Sequence, residues 1–132
     1  VANRGIALKS SFTDDLPFVE ADIGLIERAL ENIINNATRY TPSGGTIAIS
    51  LSHESGSVMI RISDTGCGIA DHDLPYIFDR FYRANRQNQP GGAGLGLAIT
   101  KRILELHGST IRAESIPNIG TIISFELPTV HF

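Results

Sequence analysis

Cysteine is nearly absent from this chain of 132 residues, in which Cys67 is the only one. A single cysteine excludes an internal disulfide framework and any cysteine-rich metal site. Long hydrophobic runs are absent too, since none approaches the ~20 residues that a membrane-spanning helix needs. A large excess of charge is absent as well, since the formal net charge is −3 and the pI is near 5.7. This balance argues against a general nucleic-acid-binding protein.

What the chain does contain is typical of one folded domain spanning residues 1–132. Hydrophobic residues make up 42% of the sequence. A domain of this size can bury roughly two-thirds of its unfolded surface in a core. The first residue is not methionine and no signal-like segment follows it, so we expect a domain cut from a longer protein.

Hydrophobic periodicity predicts two helices and several strands. Apolar residues recur at helical spacing from Asp22, a predicted N-cap, to a stop before Pro42, and again over 95–107 with Gly108 just beyond the helix. Short or alternating apolar runs predict strands at 5–12, 18–21, 46–52, 57–64, 110–115 and 121–127. Because these elements do not alternate regularly, we expect an α/β two-layer sandwich, with helices on one face of a mixed, mostly antiparallel sheet.

The first predicted helix carries polar residues along one flank of its apolar stripe. Asn32, Asn36 and Tyr40 follow one another at intervals of four, with Arg39 beside them. An amide oxygen bordering a pocket is a suitable ligand for Mg²⁺, which takes few protein ligands together with phosphate oxygens and water. On the helix alone, a polar edge without any ligand explains the pattern equally well.

Two glycine-rich segments are the other candidate sites. Asp64 ends an apolar strand before the loop 65–69, where its carboxylate could accept a hydrogen bond from an exocyclic amine such as that of adenine, or form an ordinary Asx turn. Glycines within 91–96 lead straight into the second helix, which favours a phosphate cradle, with a flexible hinge as the alternative. Between these two glycine-rich segments, the sequence over about 79–93 predicts a mobile lid or a solvated surface loop.

Taken in order, these segments resemble the ATP-binding catalytic domain of bacterial two-component sensor histidine kinases. The resemblance rests on five motifs between about residues 22 and 127, namely Asn-x-x-x-Asn-Ala-x-x-Tyr, Asp-x-Gly-x-Gly-Ile, Phe-x-x-Phe-Tyr-Arg, Gly-x-Gly-Leu-Gly-Leu and a late Gly-Thr. They correspond to the N, G1, F, G2 and G3 boxes of that family. The resemblance implies the Bergerat α/β sandwich that the family shares with the gyrase and MutL ATPases.

The resemblance also implies a role for each matching residue. Asn36 would coordinate Mg²⁺ with Asn32 supporting it one turn earlier, and Asp64 would receive the adenine amine. Arg39 would contact the phosphates, and it and Asn36 are the residues expected to act in catalysis. The remaining residues implied to bind ATP are Tyr40, Gly66, Gly68, Ile69, Phe81, Arg83, Gly92, Gly94, Leu95, Gly96, Leu97 and Thr121.

Asn32 also carries an expectation about the reaction. In the related ATPases a glutamate at this position activates water, whereas Asn32 cannot take a proton at pH 7 and the side chain of Glu31 projects elsewhere on the helix. The resemblance therefore implies slow hydrolysis of ATP and transfer of its γ-phosphoryl group to a histidine on a separate helical dimerisation domain, with a response regulator downstream. None of the four histidines of this chain is expected to be the phosphoacceptor.

Two alternatives stay open at this point. One is an anti-sigma-type serine kinase of the same fold, and the other is a regulatory nucleotide-binding module without chemistry. The resemblance further implies a cytoplasmic domain of a parent protein anchored in the inner (cell) membrane. This domain itself is expected to contact neither the membrane nor nucleic acid.

Overall fold

The computed structural model describes residues 5–12, 16, 19–79 and 96–129, which form one sheet with two α-helices packed on it and a short 3-10 helix at Leu74–Tyr76. The strands are β1 (Ala7–Phe12), β2 (Thr46–Glu54), β3 (Ser57–Asp64), β4 (Arg112–Ile116) and β5 (Gly120–Pro128), and the helices are α1 (Ile23–Tyr40) and α2 (Gly96–Leu106). The strand order is β1-β2-β3-β5-β4, with β1 parallel to β2 and the other neighbouring pairs antiparallel. The predicted two-layer α/β sandwich with a mixed sheet is confirmed.

Helix α1 begins and ends where the sequence supplies caps. Asp22 is the predicted N-cap, and its Oδ1 accepts the N–H of Leu25 at 3.0 Å. At the other end, the N–H and hydroxyl of Thr41 both donate to the carbonyl of Ala37, at 3.0 and 2.7 Å, and Pro42 then prevents continuation. The buried residues of the helix are Ala29, Ile33 and Ala37. Their spacing leaves the polar flank of α1 outside the apolar contact.

The sheet supplies the larger part of the hydrophobic core. Ile47, Ile62 and Phe125, from β2, β3 and β5, are almost fully buried, while Arg61 points to the opposite face and is exposed. This alternation follows from the two-residue period of a strand. Leu104 of α2 belongs to the same core, so both helices and the sheet share one apolar cluster.

Helix α2 ends at the predicted glycine. Gly108 has a φ of +71°, a left-handed conformation that a side chain would disfavour. The N–H of Gly108 donates to the carbonyl of Glu105 at 3.0 Å, and the N–H of Ser109 donates to the carbonyl of Leu104 at 2.8 Å. These two bonds are the Schellman pattern that closes a helix. Among the described residues, no helix is long and apolar enough to cross a membrane.

The strand predicted at 18–21 is wrong. In its described part, only Val19 forms a β-bridge, with Thr129, and the N–H of Glu20 donates to the carbonyl of Pro128 at 3.1 Å. The chain cannot continue this pairing because it must turn at Asp22 to start α1. The predicted lid at about 79–93 falls almost entirely on residues 80–95, which lie outside the described residues.

Candidate functional site

Asp64 is the last residue of β3, and the strand register gives it two different neighbours. Ile47 of β2 lies opposite it on one side and Thr121 of β5 on the other. Its Oδ1 accepts the backbone N–H of Gly66 at 2.8 Å. Burial raises the pKa of Asp64, while backbone N–H groups of Gly66 and Thr121 lower it by less. The carboxylate is therefore poorly solvated and retains acceptor capacity for a donor from a ligand.

The glycine-rich loop that follows β3 is held between the end of α1 and the β4–β5 turn. The carbonyl of Tyr40 accepts the N–H of Cys67 at 3.3 Å, and the carbonyl of Cys67 accepts the N–H of Asn118 at 2.6 Å. Gly68 has a φ of +73°, and a Cβ there would collide with the carbonyl of Ile116. The close approach that this glycine permits is to protein backbone. That the glycines of the loop also shape a nucleotide wall stays a prediction.

The polar flank of α1 lies against the N-terminus of α2. A Cβ added at Gly96 would be 3.9 Å from Cβ and Cγ of Asn32. Nδ2 of Asn32 is buried and, within the described ranges, is the one buried side-chain nitrogen or oxygen without a hydrogen-bond partner. Such a donor costs about 1–3 kcal/mol. Asn36 is half-buried one turn away and Arg39 is exposed beyond it, and ligand binding by this flank of α1 stays a prediction.

The first turn of α2 is fixed by its own side chains. The hydroxyl of buried Thr100 donates to the carbonyl of Gly96 at 2.9 Å. Leu97, which was expected to bind the nucleotide, packs its side chain into the core. Five other predicted site residues lie outside the described residues, namely Phe81, Arg83, Gly92, Gly94 and Leu95.

Ser115 of β4 is a site residue that the sequence reasoning missed. Its Oγ accepts the N–H of Ile69 at 2.6 Å, donates to the carbonyl of Gly120 at 3.0 Å and lies 2.9 Å from Oγ1 of Thr121. It therefore ties the glycine-rich loop after β3 to the start of β5. A serine alternating in a strand gives no sequence signal for this, because its partner Ile69 is 46 residues away.

His107, at the end of α2, is the second missed residue. Its Nδ1 bonds the carbonyl of Ile103 at 2.8 Å, and its Nε2 accepts the N–H of Asp22 at 3.0 Å. The carbonyl of Ile103 requires a proton on Nδ1 and the N–H of Asp22 requires a lone pair on Nε2, so these two hydrogen bonds select the tautomer that is protonated on Nδ1. The ring thus joins the C-terminus of α2 to the N-terminus of α1. With the contact between Asn32 and Gly96, it holds the two helices antiparallel at a fixed register.

These contacts connect the described site residues at the end of β3 with one another. Tyr40 contacts the loop after Asp64, Asp64 faces Thr121, and Ile69 reaches Thr121 through a serine hydroxyl. No three His, Cys, Asp or Glu side chains in the described part of the chain come together as a metal site. Mg²⁺ accepts an amide oxygen such as that of Asn36 together with phosphate oxygens and water, and Asn36 as its ligand stays a prediction.

The sequence matches one protein family over most of its length. Residues 21–131 match the family described as histidine kinase-, DNA gyrase B-, and HSP90-like ATPase. The chain is similar to the sensor histidine kinase WalK of Bacillus subtilis, at 44% identity over 115 residues, which cover 84% of this chain and 19% of WalK. It therefore spans about a fifth of the length of that relative.

Solved structures share the fold over almost the whole chain. The mycobacterial sensor histidine kinase MprB gives a TM-score of 0.84 at 28% identity, covering 99% of this chain and 89% of that chain. Full-length ShkA in complex with AMPPNP gives a TM-score of 0.84 at 29% identity, covering 99% of this chain and 27% of that chain. The likeness therefore extends to kinases with and without further domains in the solved chain.

Proposed function

Because the chain belongs to the family of histidine kinase-, DNA gyrase B- and HSP90-like ATPases, we propose that it binds Mg-ATP and donates the γ-phosphoryl group to a histidine on a separate helical dimerisation domain. Its relatives are sensor histidine kinases. One of them, ShkA, is solved with the ATP analogue AMPPNP. The protein acts in this proposal as the catalytic half of a two-component sensor kinase, with a response regulator receiving the phosphoryl group downstream.

The observation that carries the proposal is a pair of polar groups that burial removes from water. Nδ2 of Asn32 is buried with no partner in the described ranges. The pKa of Asp64 is raised because the backbone N–H groups of Gly66 and Thr121 do not fully offset its burial. Both residues lie among those that match the family's nucleotide motifs. A nucleotide would supply a donor to Asp64 through its exocyclic amine and an acceptor to Asn32 through its phosphates.

We assign the remaining roles from the family motifs that the residues match. Asn36 would hold Mg²⁺, which supplies positive charge to the phosphates, and the N-terminal amides at Gly96 and Leu97 would add to it. Arg39, exposed at the end of α1, would contact the phosphates. In phosphoryl transfer the protein contributes mainly positioning and charge stabilisation, which these groups can provide. Asp64, Thr121, Ile69 and the Tyr40 ring would surround the base.

A titration of the purified chain with ATP tests the binding step. Saturable binding in Mg²⁺ is expected to weaken when EDTA is present, as measured by calorimetry. Asn36→Ala should bind in Mg²⁺ about as weakly as the wild type binds in EDTA. Asn35→Ala is the matched control, because Asn35 is exposed on another side of the same helix. Absence of a saturable complex, or equal losses in the two variants, would overturn the proposal.

The transfer step needs a phosphoacceptor. The chain is joined to a histidine-bearing helical domain of a sensor kinase and incubated with γ-labelled ATP. Acid-labile, base-stable label on the helical domain is the expected result. Acid-stable label would indicate a serine kinase, and nucleotide binding without any label would indicate a regulatory module. In a cell, this proposal places the domain in the cytoplasm, within a parent protein anchored in the inner membrane.

A further inference from the structure

A row of three side chains crosses the sheet at the proposed base-binding end. The strand registers place Asp64 of β3 opposite Thr121 of β5, and Thr121 opposite Ser115 of β4. Directly paired residues on neighbouring strands point to the same face, so the three polar side chains are adjacent. Thr121 is buried, which leaves its hydroxyl few partners besides Ser115 and a ligand next to Asp64.

The hydrogen bonds of Ser115 determine where its single hydroxyl proton goes. The N–H of Ile69 can only donate, so it uses one lone pair of the serine oxygen. The carbonyl of Gly120 can only accept, so it takes the serine proton. By distance alone either hydroxyl could donate in the contact between Ser115 and Thr121; with the serine proton assigned to Gly120, Thr121 is the donor.

This proton order gives the Thr121 hydroxyl a definite polarity. With its proton directed at Ser115, Oγ1 of Thr121 offers only lone pairs to the side occupied by Asp64. The carboxylate of Asp64 also offers only lone pairs once it is ionised. The polar end of the region is therefore acceptor-only. It suits a base edge that carries an amine and opposes one that carries a carbonyl oxygen.

We propose that Ser115 is a specificity-determining positioning residue, which selects a 6-amino purine over a 6-oxo purine by holding the Thr121 proton away from the base. This inference rests on the proposed nucleotide binding and adds a residue that touches no ligand itself. Without Ser115, the Thr121 hydroxyl can rotate and donate to a 6-oxo group. Loss of Ser115 therefore weakens discrimination between bases, in addition to any general effect on the loop that Ile69 ends.

The test compares ATP with ITP, in which a 6-oxo group replaces the 6-amino group and N1 of the base carries a proton. Dissociation constants for both nucleotides in Mg²⁺ are measured for the wild type, Ser115→Ala and Ser115→Thr. Ser115→Ala should lower the preference for ATP by about fivefold, the worth of one hydrogen bond. Ser115→Thr keeps the hydroxyl and should keep the preference. Ser115→Cys, nearly isosteric and a weak acceptor, should behave like Ser115→Ala, which provides a second variant if the alanine chain folds poorly.

A double-mutant cycle identifies Thr121 as the intermediary. Thr121→Val removes the hydroxyl, so Ser115→Ala added to it should leave the ATP-to-ITP ratio unchanged. A purely structural role of Ser115 would weaken both nucleotides equally and leave the ratio unchanged in the single variant as well, which overturns the inference. An equal fall of the ratio in both backgrounds also overturns it, as does a wild type that binds ATP and ITP equally. If the wild type binds neither nucleotide, the proposed function itself has failed.

Discussion

Replacement of Asp64 by asparagine should raise the stability of the free protein or leave it unchanged while it weakens ATP binding. In the free protein the carboxylate pKa is raised because burial disfavours the ionised form. A raised pKa in the folded state means that the carboxyl group stabilises the fold below its unfolded pKa, and that this contribution is lost as the pH rises through the folded pKa. At neutral pH the ionised carboxylate therefore destabilises the fold, and its replacement by a neutral amide removes this destabilisation. The amide oxygen can still accept the N–H of Gly66, which lies 2.8 Å from Oδ1 in the native protein.

The effect on binding has the opposite sign. Asparagine replaces one acceptor with an N–H₂ donor, which faces the adenine amine as a second donor. Hydrogen bonds to charged groups contribute about 1.5–3 kcal/mol, so the dissociation constant for ATP should rise by roughly 10- to 150-fold. Asp71→Asn is the matched control, since Asp71 is exposed in the loop beyond the site and should change neither quantity.

Chemical denaturation over a range of pH measures the effect on stability, and calorimetric titration measures the effect on ATP binding. The stability of the wild type relative to Asp64→Asn should fall as the pH rises through the raised pKa of the carboxyl group. A variant that loses stability at neutral pH yet binds ATP as tightly as the wild type would refute both parts of the reasoning. Equal ATP affinity for Asp64→Asn and Asp71→Asn would refute the assignment of Asp64 to the base.

Three further outcomes are expected. The chain incubated with Mg-ATP should release phosphate slowly, because Asn32 cannot act as a base. Turnover comparable to that of the dedicated ATPases in a phosphate-release assay would contradict this. His107→Asn should lower the free energy of unfolding by about 1 kcal/mol, because the N–H of Asp22 loses its acceptor. His107→Gln, whose side-chain oxygen reaches the same position, should lose less stability. Equal losses for the two variants in urea melts would argue against a role of His107 in joining the helices. Gly68→Ala should destabilise the fold by more than about 1 kcal/mol, because φ is positive and neighbouring backbone leaves no room for a Cβ. Gly56→Ala, with positive φ but open space, should lose less stability, and a larger loss for Gly56→Ala in urea melts would contradict this.

The elements that sequence analysis predicted well are those determined by local chemistry. Three predicted helix ends are confirmed, namely the N-cap at Asp22, the end of α1 before Pro42 and the end of α2 at Gly108. Each depends on residues within one helical turn. The family resemblance is confirmed as well, because its motifs are short and ordered along the chain. The strand predicted at 18–21 failed because a short apolar run cannot show that the chain must turn into a helix immediately afterwards.

The residues that sequence analysis missed act over long separations. Ser115 bonds an amide 46 residues away, and His107 bonds one 85 residues away. Neither side chain has a local pattern, since a serine in a strand and a histidine at a helix end are both common. Their roles depend on which strands pair and on the register between α1 and α2, which are tertiary properties. The physical environment of Asp64 was equally out of reach, because burial raises its pKa only once the sheet and the loop have assembled.

The burial of polar groups at Asn32 and Asp64 explains why ligand binding should stabilise this domain. A fold under no other demand would give Nδ2 of Asn32 a partner and leave the carboxylate of Asp64 in water, because each group costs stability as it stands. In the described residues Nδ2 of Asn32 is the one buried side-chain nitrogen or oxygen without a partner, and the backbone N–H groups at Asp64 do not fully offset its burial. A ligand that satisfies both at once adds stability in proportion to the logarithm of its concentration over its dissociation constant. The wild type should therefore gain more thermal stability from saturating Mg-ATP than Asp64→Asn does at the same nucleotide concentration, and equal gains would mean that the deficit at Asp64 has nothing to do with the nucleotide.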